Sequence, residues 1–216
     1  MGLRALRYTL KHPDVFKAQL RALLRAGAHT DLRIMFPLVS GLDDFLAARD
    51  IAYQAMEELE KEKLVYNGEP KFGAMVELPS AVMMVEHLAE EANFLSIGSN
   101  DLVQYLLGVD RTNEDVEELY RVFHPAVLMA FKKIADAGRR ARCPVSVCGD
   151  AAANPEMLRF FIGIGIDIFS VDPRRIDFVR QLIQSLDARE ARQRANSILK
   201  LRTDEEVRRF LHIEAG

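Results

Sequence analysis

The stretch Phe94-Leu-Ser-Ile-Gly-Ser-Asn-Asp-Leu-Val-Gln104 joins a short apolar run directly to a dense set of small and polar groups. A run of that length, apolar throughout, reads as a strand buried on both faces, as the strands of parallel sheets are. The same pattern recurs on either side, at RIMFPLV (33–39), FGAMVEL (72–78), VSVCG (145–149) and DIFSV (167–171). Between these runs, residues 43–63, 80–91, 125–142 and 155–163 carry apolar positions at helical spacing, with starts at Asp43, Ser80, Pro125 and Pro155. Strand and helix therefore alternate. That order predicts parallel strands with crossover helices, either an open doubly wound sheet or a (β/α)8 barrel.

After Asp172 the pattern is helical only, over 173–186, 188–201 and 204–212, the last behind a Thr-Asp-Glu-Glu start at 203–206. Five strands are fewer than a barrel's eight, which occupy about 250 residues. By that count roughly the first quarter to third of a barrel is expected to be absent. The 216 residues, 49% of them hydrophobic, suffice for one core. We therefore expect a single domain over 1–216, with 173–216 as terminal helices.

Lys and Arg number 29 against 32 Asp and Glu, a formal net charge of −3, so no basic excess points to nucleic acid as a partner. No run of about 18 apolar residues marks a membrane span, and the N-terminus lacks the apolar core of a signal peptide. Cys143 and Cys148 form no CxxC pair or second cluster, which argues against a disulfide framework or zinc knuckle and fits a reducing cytoplasm.

In parallel α/β folds reactive groups sit where strands end, which singles out three places. Glu77 follows the 72–78 run just before Pro79; by position alone it is equally well a solvated strand-end residue. Asn100 and Asp101 follow the 94–98 run, where either also serves as an ordinary helix N-cap. Taken together, Glu77 and Asp101 offer two hard oxygen ligands at consecutive strand ends, a natural pair for Mg²⁺. Cys148 ends the 145–149 run; a buried cysteine is usually a small hydrophobe, but beside a metal site it becomes a plausible acid or nucleophile. Arg4, Arg33 and Arg111 supply guanidinium forks suited to phosphate and carboxylate, although any single one is as easily a surface arginine.

The run NFLSIGSNDLVQYLLGVDR (93–111) resembles the long signature shared by phosphoenolpyruvate-utilising enzymes. Gly2-Leu-Arg-Ala-Leu-Arg7, Leu32-Arg-Ile-Met-Phe-Pro37, Gly73-Ala-Met-Val-Glu-Leu-Pro79, Phe123-His-Pro-Ala-Val127 and Val147-Cys-Gly149 are similar, in order and spacing, to enzyme I of the bacterial sugar phosphotransferase system. The resemblance implies a (β/α)8 barrel that binds phosphoenolpyruvate through Mg²⁺, with Glu77 and Asp101 as metal ligands. It makes Arg4, Arg33 and Arg111 phosphate- and carboxylate-binding residues, Asn100 a substrate contact, and Cys148 the acid that protonates the enolate to pyruvate. It also implies a cytoplasmic homodimer, a histidine-bearing phosphoacceptor domain, a carrier protein and a role in sugar uptake.

Three departures accompany it. The five histidines, at 12, 29, 87, 124 and 212, lack the setting of the family's phosphoacceptor, and the chain begins at the Gly-x-Arg-x-x-Arg segment. After Cys148-Gly149, Asp150-Ala-Ala-Ala stands where enzyme I commonly has Glu, Leu or Met, Ala and Gly. The isolated chain is therefore expected to be inactive or a weak binder. Two alternatives stay open: a fragment of phosphoenolpyruvate synthase or pyruvate phosphate dikinase, and a non-catalytic dimerisation module.

Overall fold

The computed structural model describes residues 2–213; residues 1 and 214–216, the outer ends of the expected domain, lie outside the described residues. Five strands, β1 (Arg33–Phe36), β2 (Lys71–Val76), β3 (Phe94–Gly98), β4 (Val145–Cys148) and β5 (Ile168–Phe169), form one parallel sheet in chain order. The register pairs Val76 with Ile97 and Gly98 with Cys148. The ends of β2, β3 and β4 are therefore level, and the residues just beyond them emerge at one rim. β1 pairs only with β2 and β5 only with β4 among the described residues, so the arc is open, as the strand count predicts.

Two helices precede the sheet, α1 (Leu6–Lys11) and α2 (Pro13–Ala26). The crossovers use α3 (Leu42–Lys61), the pair α4 (Pro79–Met83) and α5 (Val85–Glu91), the pair α6 (Ser99–Leu107) and α7 (Pro125–Ala141), and α8 (Pro155–Ile164). The chain closes with α9 (Ile176–Gln184), α10 (Ala188–Ile198) and α11 (Asp204–Leu211). Thr203 and Glu206 form a capping box at the start of α11, the signal read in the sequence.

The core lies between the sheet and these helices. Phe36 at its centre stacks on Phe72 with ring centroids 5.7 Å apart and meets Phe16 and Phe45 edge-on. Farther along, Phe131 of α7 packs on Phe161 of α8 at 5.1 Å. Each such fully buried side chain contributes about 1.5–3 kcal/mol of transfer free energy.

Some elements differ from the sequence reading. β1 stops at Phe36 rather than continuing to 39, because Pro37 has no N–H to donate to the ladder and Leu38 turns left-handed, φ 56°. β5 shrinks to two residues because only one of its edges is paired. The helix expected over 80–91 breaks at Met84.

Candidate functional site at the carboxyl ends of the strands

Glu77 leaves the end of β2 and is only 7% exposed. Its Oε1 accepts a 2.6 Å hydrogen bond from the Leu38 backbone N–H, which the left-handed turn after β1 presents to it. Such a conformation is strained for leucine and costs of order 1–3 kcal/mol, so the carboxylate is held in place by a locally strained backbone. On its other side Glu77 lies across Gly98: a Cβ there would stand 2.8 Å from Oε2 and 2.9 Å from the Glu77 Cβ. Burial pushes the Glu77 carboxyl above the ordinary carboxylate range; Asp101 reinforces the shift, and the Leu38 hydrogen bond and Arg4 offset only part of it. Glu77 is thus a desolvated acid with no ion-pair partner among the described residues, a setting that a cation would relieve.

β3 passes straight into α6, whose first turn carries Asn100 and Asp101. Arg4, just ahead of α1, pairs with the Asp101 carboxylate and donates a 3.0 Å hydrogen bond to the Tyr105 hydroxyl one turn along α6. Asn100 accepts, through Oδ1, a 2.9 Å hydrogen bond from the Asp150 N–H. That contact needs the left-handed Gly149, φ 86°, where a Cβ would fall 2.5 Å from Ser99 Oγ and 2.6 Å from Asn100 Oδ1.

Cys148 ends β4 beside this loop. Its thiol donates to the Ile97 carbonyl at 3.4 Å, Ser96 Oγ stands 3.8 Å from the sulfur, and Ser99 Oγ donates to the Cys148 carbonyl at 2.7 Å. Burial pushes the thiol pKa up; the Ser96 hydroxyl lowers it in part and the Glu77 charge raises it further. The group is thereby kept protonated, as a proton donor must be and a nucleophile must not. Arg111, in the segment after α6, directs Nη1 toward Asp150 Oδ2 at 3.8 Å.

The structure thus brings Arg4, Glu77, Asn100, Asp101, Arg111 and Cys148 to one rim of the sheet. It does not bring Arg33 there. Arg33 is the first residue of β1, at the opposite end of the sheet, and its guanidinium is held by Asp31 at 2.9 Å. In a parallel sheet the residue that opens a strand and the residue that closes one lie on opposite rims, so the strand reading itself excludes Arg33 from this group. Sequence reasoning missed Leu38, Ser96, Ser99, Tyr105 and Asp150, and also Gln104, whose Oε1 accepts from the Arg111 N–H, and Tyr120, whose hydroxyl donates to the Asn100 carbonyl. Ser96, Ser99, Gln104 and Tyr105 lie within the 93–111 signature, and Asp150 directly follows Cys148-Gly149, so position marked them. Leu38 and Tyr120 had no such signal.

Glu77 and Asp101 suit Mg²⁺, which takes one or two protein carboxylates and leaves its other positions for water and substrate oxygens. Among the described residues no group of three or more His, Cys, Asp or Glu side chains forms a denser metal site. No described helix is long and apolar enough to cross a membrane.

Solved structures share the fold: a citrate lyase from Burkholderia xenovorans LB400 matches with a TM-score of 0.60 at 18% identity, over 91% of this chain and 66% of that one. An aldolase/citrate lyase family protein from Burkholderia cenocepacia J2315 matches with a TM-score of 0.51 at 20% identity, over 83% and 70%. In sequence, phosphoenolpyruvate-protein phosphotransferases are similar over 98% of this chain, with 35% identity for Mycoplasma capricolum, 37% for Geobacillus stearothermophilus and 36% for Bacillus subtilis. The chain spans only 36–37% of the length of these relatives. Residues 1–188 match the family described as PEP-utilising enzyme, PEP-binding domain. The chain belongs to that family, the phosphoenolpyruvate-binding domains of phosphoenolpyruvate-utilising enzymes.

Proposed function

We propose that this chain is the phosphoenolpyruvate- and Mg²⁺-binding part of a phosphoenolpyruvate:protein phosphotransferase. One observation carries the reading. A desolvated, unpaired carboxylate, a second carboxylate at the next strand end, two arginines and a protonated thiol share one rim of the sheet.

Glu77 and Asp101 would hold Mg²⁺, which would supply Lewis-acid stabilisation of the charge that develops on the substrate. Arg111 and Arg4 take the phosphate and carboxylate oxygens, Arg4 exchanging its apo partner Asp101 for the ligand. Asn100, its Oδ1 committed to the Asp150 N–H, turns its amide NH₂ to the substrate. The enol phosphate's P–O bond breaks as a P–N bond forms to the acceptor histidine on a separate domain. The enolate left behind takes a proton from Cys148 Sγ at carbon to give pyruvate, and the thiolate is reprotonated from solvent.

In this reading residues 1–216 form one domain with 173–216 as terminal helices, and the protein works as a cytoplasmic homodimer. Its partners are the histidine-bearing domain and the carrier protein that passes phosphate on for sugar uptake. The names of its relatives and the free Cys143 and Cys148 support it.

The test is calorimetric titration of phosphoenolpyruvate into the chain with and without Mg²⁺. Mg²⁺-dependent binding that Glu77→Ala and Asp101→Ala both abolish is the expected result. Binding that ignores the metal and both substitutions sinks the assignment.

A further inference from the structure

Arg111 does not sit on a strand or helix. It lies in the segment 109–124 between α6 and α7, which contains only one short 3-10 turn at Glu117–Leu119. Connections of this length are uncommon in compact domains and are usually functional or disordered. This one is fastened. Gly108 ends α6 in the left-handed conformation, and the Val109 N–H returns to the Gln104 carbonyl at 2.9 Å. The next attachment is made by a side chain: Gln104 Oε1 accepts the Arg111 backbone N–H at 3.1 Å. Beyond it the segment holds itself in turns, with Asp110 Oδ1 accepting from the Thr112 N–H at 2.9 Å and Asn113 Oδ1 from the Asp115 N–H at 3.0 Å. Near its far end Tyr120 turns back, and its hydroxyl donates to the Asn100 carbonyl at 3.4 Å.

Both attachment points lie on one face of α6, since Asn100 and Gln104 are four residues apart. The first is also the turn that carries Asn100 and Asp101. The Tyr120 ring is part-buried among the charges of Arg111, Asp150 and Asp101, and burial holds its phenol neutral, with the pKa pushed up to about 12. The hydroxyl therefore stays a donor over the whole physiological range.

We propose that Gln104 and Tyr120 are positioning residues, which fasten the segment 109–124 to one face of α6 and so present the Arg111 guanidinium at the strand-end rim beside Asp150. The proposal deepens the functional reading above and rests on its assignment of Arg111 to substrate oxygens. Gln104 sets where the Arg111 backbone lies, and Tyr120 keeps the far half of the segment from swinging away. Arg111 itself is part-exposed, and its ion-pair contact with Asp150 is loose at 3.8 Å. The fastening, not the ion pair, then decides how much of the ligand's binding free energy goes into ordering this side chain.

Two measurements on the whole chain test it: hydrogen–deuterium exchange without ligand, and phosphoenolpyruvate titration with Mg²⁺. The variants are Gln104→Leu, Gln104→Glu, Tyr120→Phe and Arg111→Ala. Gln104→Leu should speed exchange at the Arg111 amide and its neighbours by about tenfold while the α6 interior keeps its protection. It should also weaken phosphoenolpyruvate binding toward the level of Arg111→Ala. Gln104→Glu, whose carboxylate accepts the same N–H, should restore both, a rescue that general destabilisation would not give. Tyr120→Phe should loosen only the far half of the segment. Unchanged exchange in Gln104→Leu overturns the fastening whatever the ligand does. If Arg111→Ala leaves affinity intact, the functional reading of Arg111 fails instead, and the exchange results show separately whether Gln104 holds the segment.

Discussion

The two rims of the sheet treat polar groups in opposite ways. At the amino end Asp31 is shared by Arg33 at 2.9 Å and Lys71 at 2.7 Å, all three half in solvent. Among the described residues the buried polar side chain there, Asn67, donates to the Gly27 and Thr30 carbonyls at 2.9 and 2.8 Å and accepts from the Glu69 N–H at 3.0 Å. These four side chains are all either solvated or satisfied. At the carboxyl end Glu77 is as buried as Asn67, yet it holds a single hydrogen bond, and that from a strained Leu38. Folding alone favours the first arrangement. The second leaves interaction free energy available to a ligand, as the binding site proposed at this rim requires.

Substitutions that cross this divide should separate the rims. The largest contrast lies between two arginines: Arg4→Ala should weaken Mg²⁺-dependent phosphoenolpyruvate binding by on the order of 10- to 100-fold, whereas Arg33→Ala should leave it unchanged in the same calorimetric titration. Equal losses would erase the distinction. Next comes Asn67→Ala, which leaves the Glu69 N–H without its acceptor and takes one of several donors from the Gly27 and Thr30 carbonyls, and should cost about 1–2 kcal/mol in urea unfolding without altering ligand affinity. Glu77→Gln should do the reverse, stabilising the ligand-free chain by about 1 kcal/mol near neutral pH while removing metal binding. The sign follows from the raised carboxyl pKa: the stability owed to protonated Glu77 is complete below the unfolded-state pKa and is lost as pH rises through the folded-state value. The advantage of the Gln variant should therefore grow from acid to neutral pH, and a constant difference would contradict it. Smallest of all, Asp31→Asn should leave the urea midpoint where it is, since exposed pairs contribute little.

The strands were legible because residues buried on both faces of a parallel sheet must be apolar, and 72–76 and 94–98 are nearly so throughout. β5 was overread because a partner on one side only supports fewer ladder bonds, which no apolar run records. The rim residues were legible where a polar group interrupts an apolar pattern, as at Glu77, Asp101 and Cys148. Arg33 shows the limit of that signal: its residue type suits an anion, but only the direction of β1 says which rim it occupies. Leu38 was invisible because it contributes a backbone N–H, for which any residue type serves. Tyr120 was invisible because a sixteen-residue connection has no period from which to read its direction.

The strand order has one more consequence. Each strand's neighbour in the sheet is also the next strand in the chain. Synthesis at about 5–20 residues per second can therefore lay the sheet down vectorially on the ribosome, each β/α unit docking on the edge left by the one before. Glu77, then Asn100 and Asp101, then Arg111 emerge in that order, and Cys148 arrives with β4 after all of them. The thiol is the last of these groups to be installed, beside carboxylates and an arginine that the chain has already delivered.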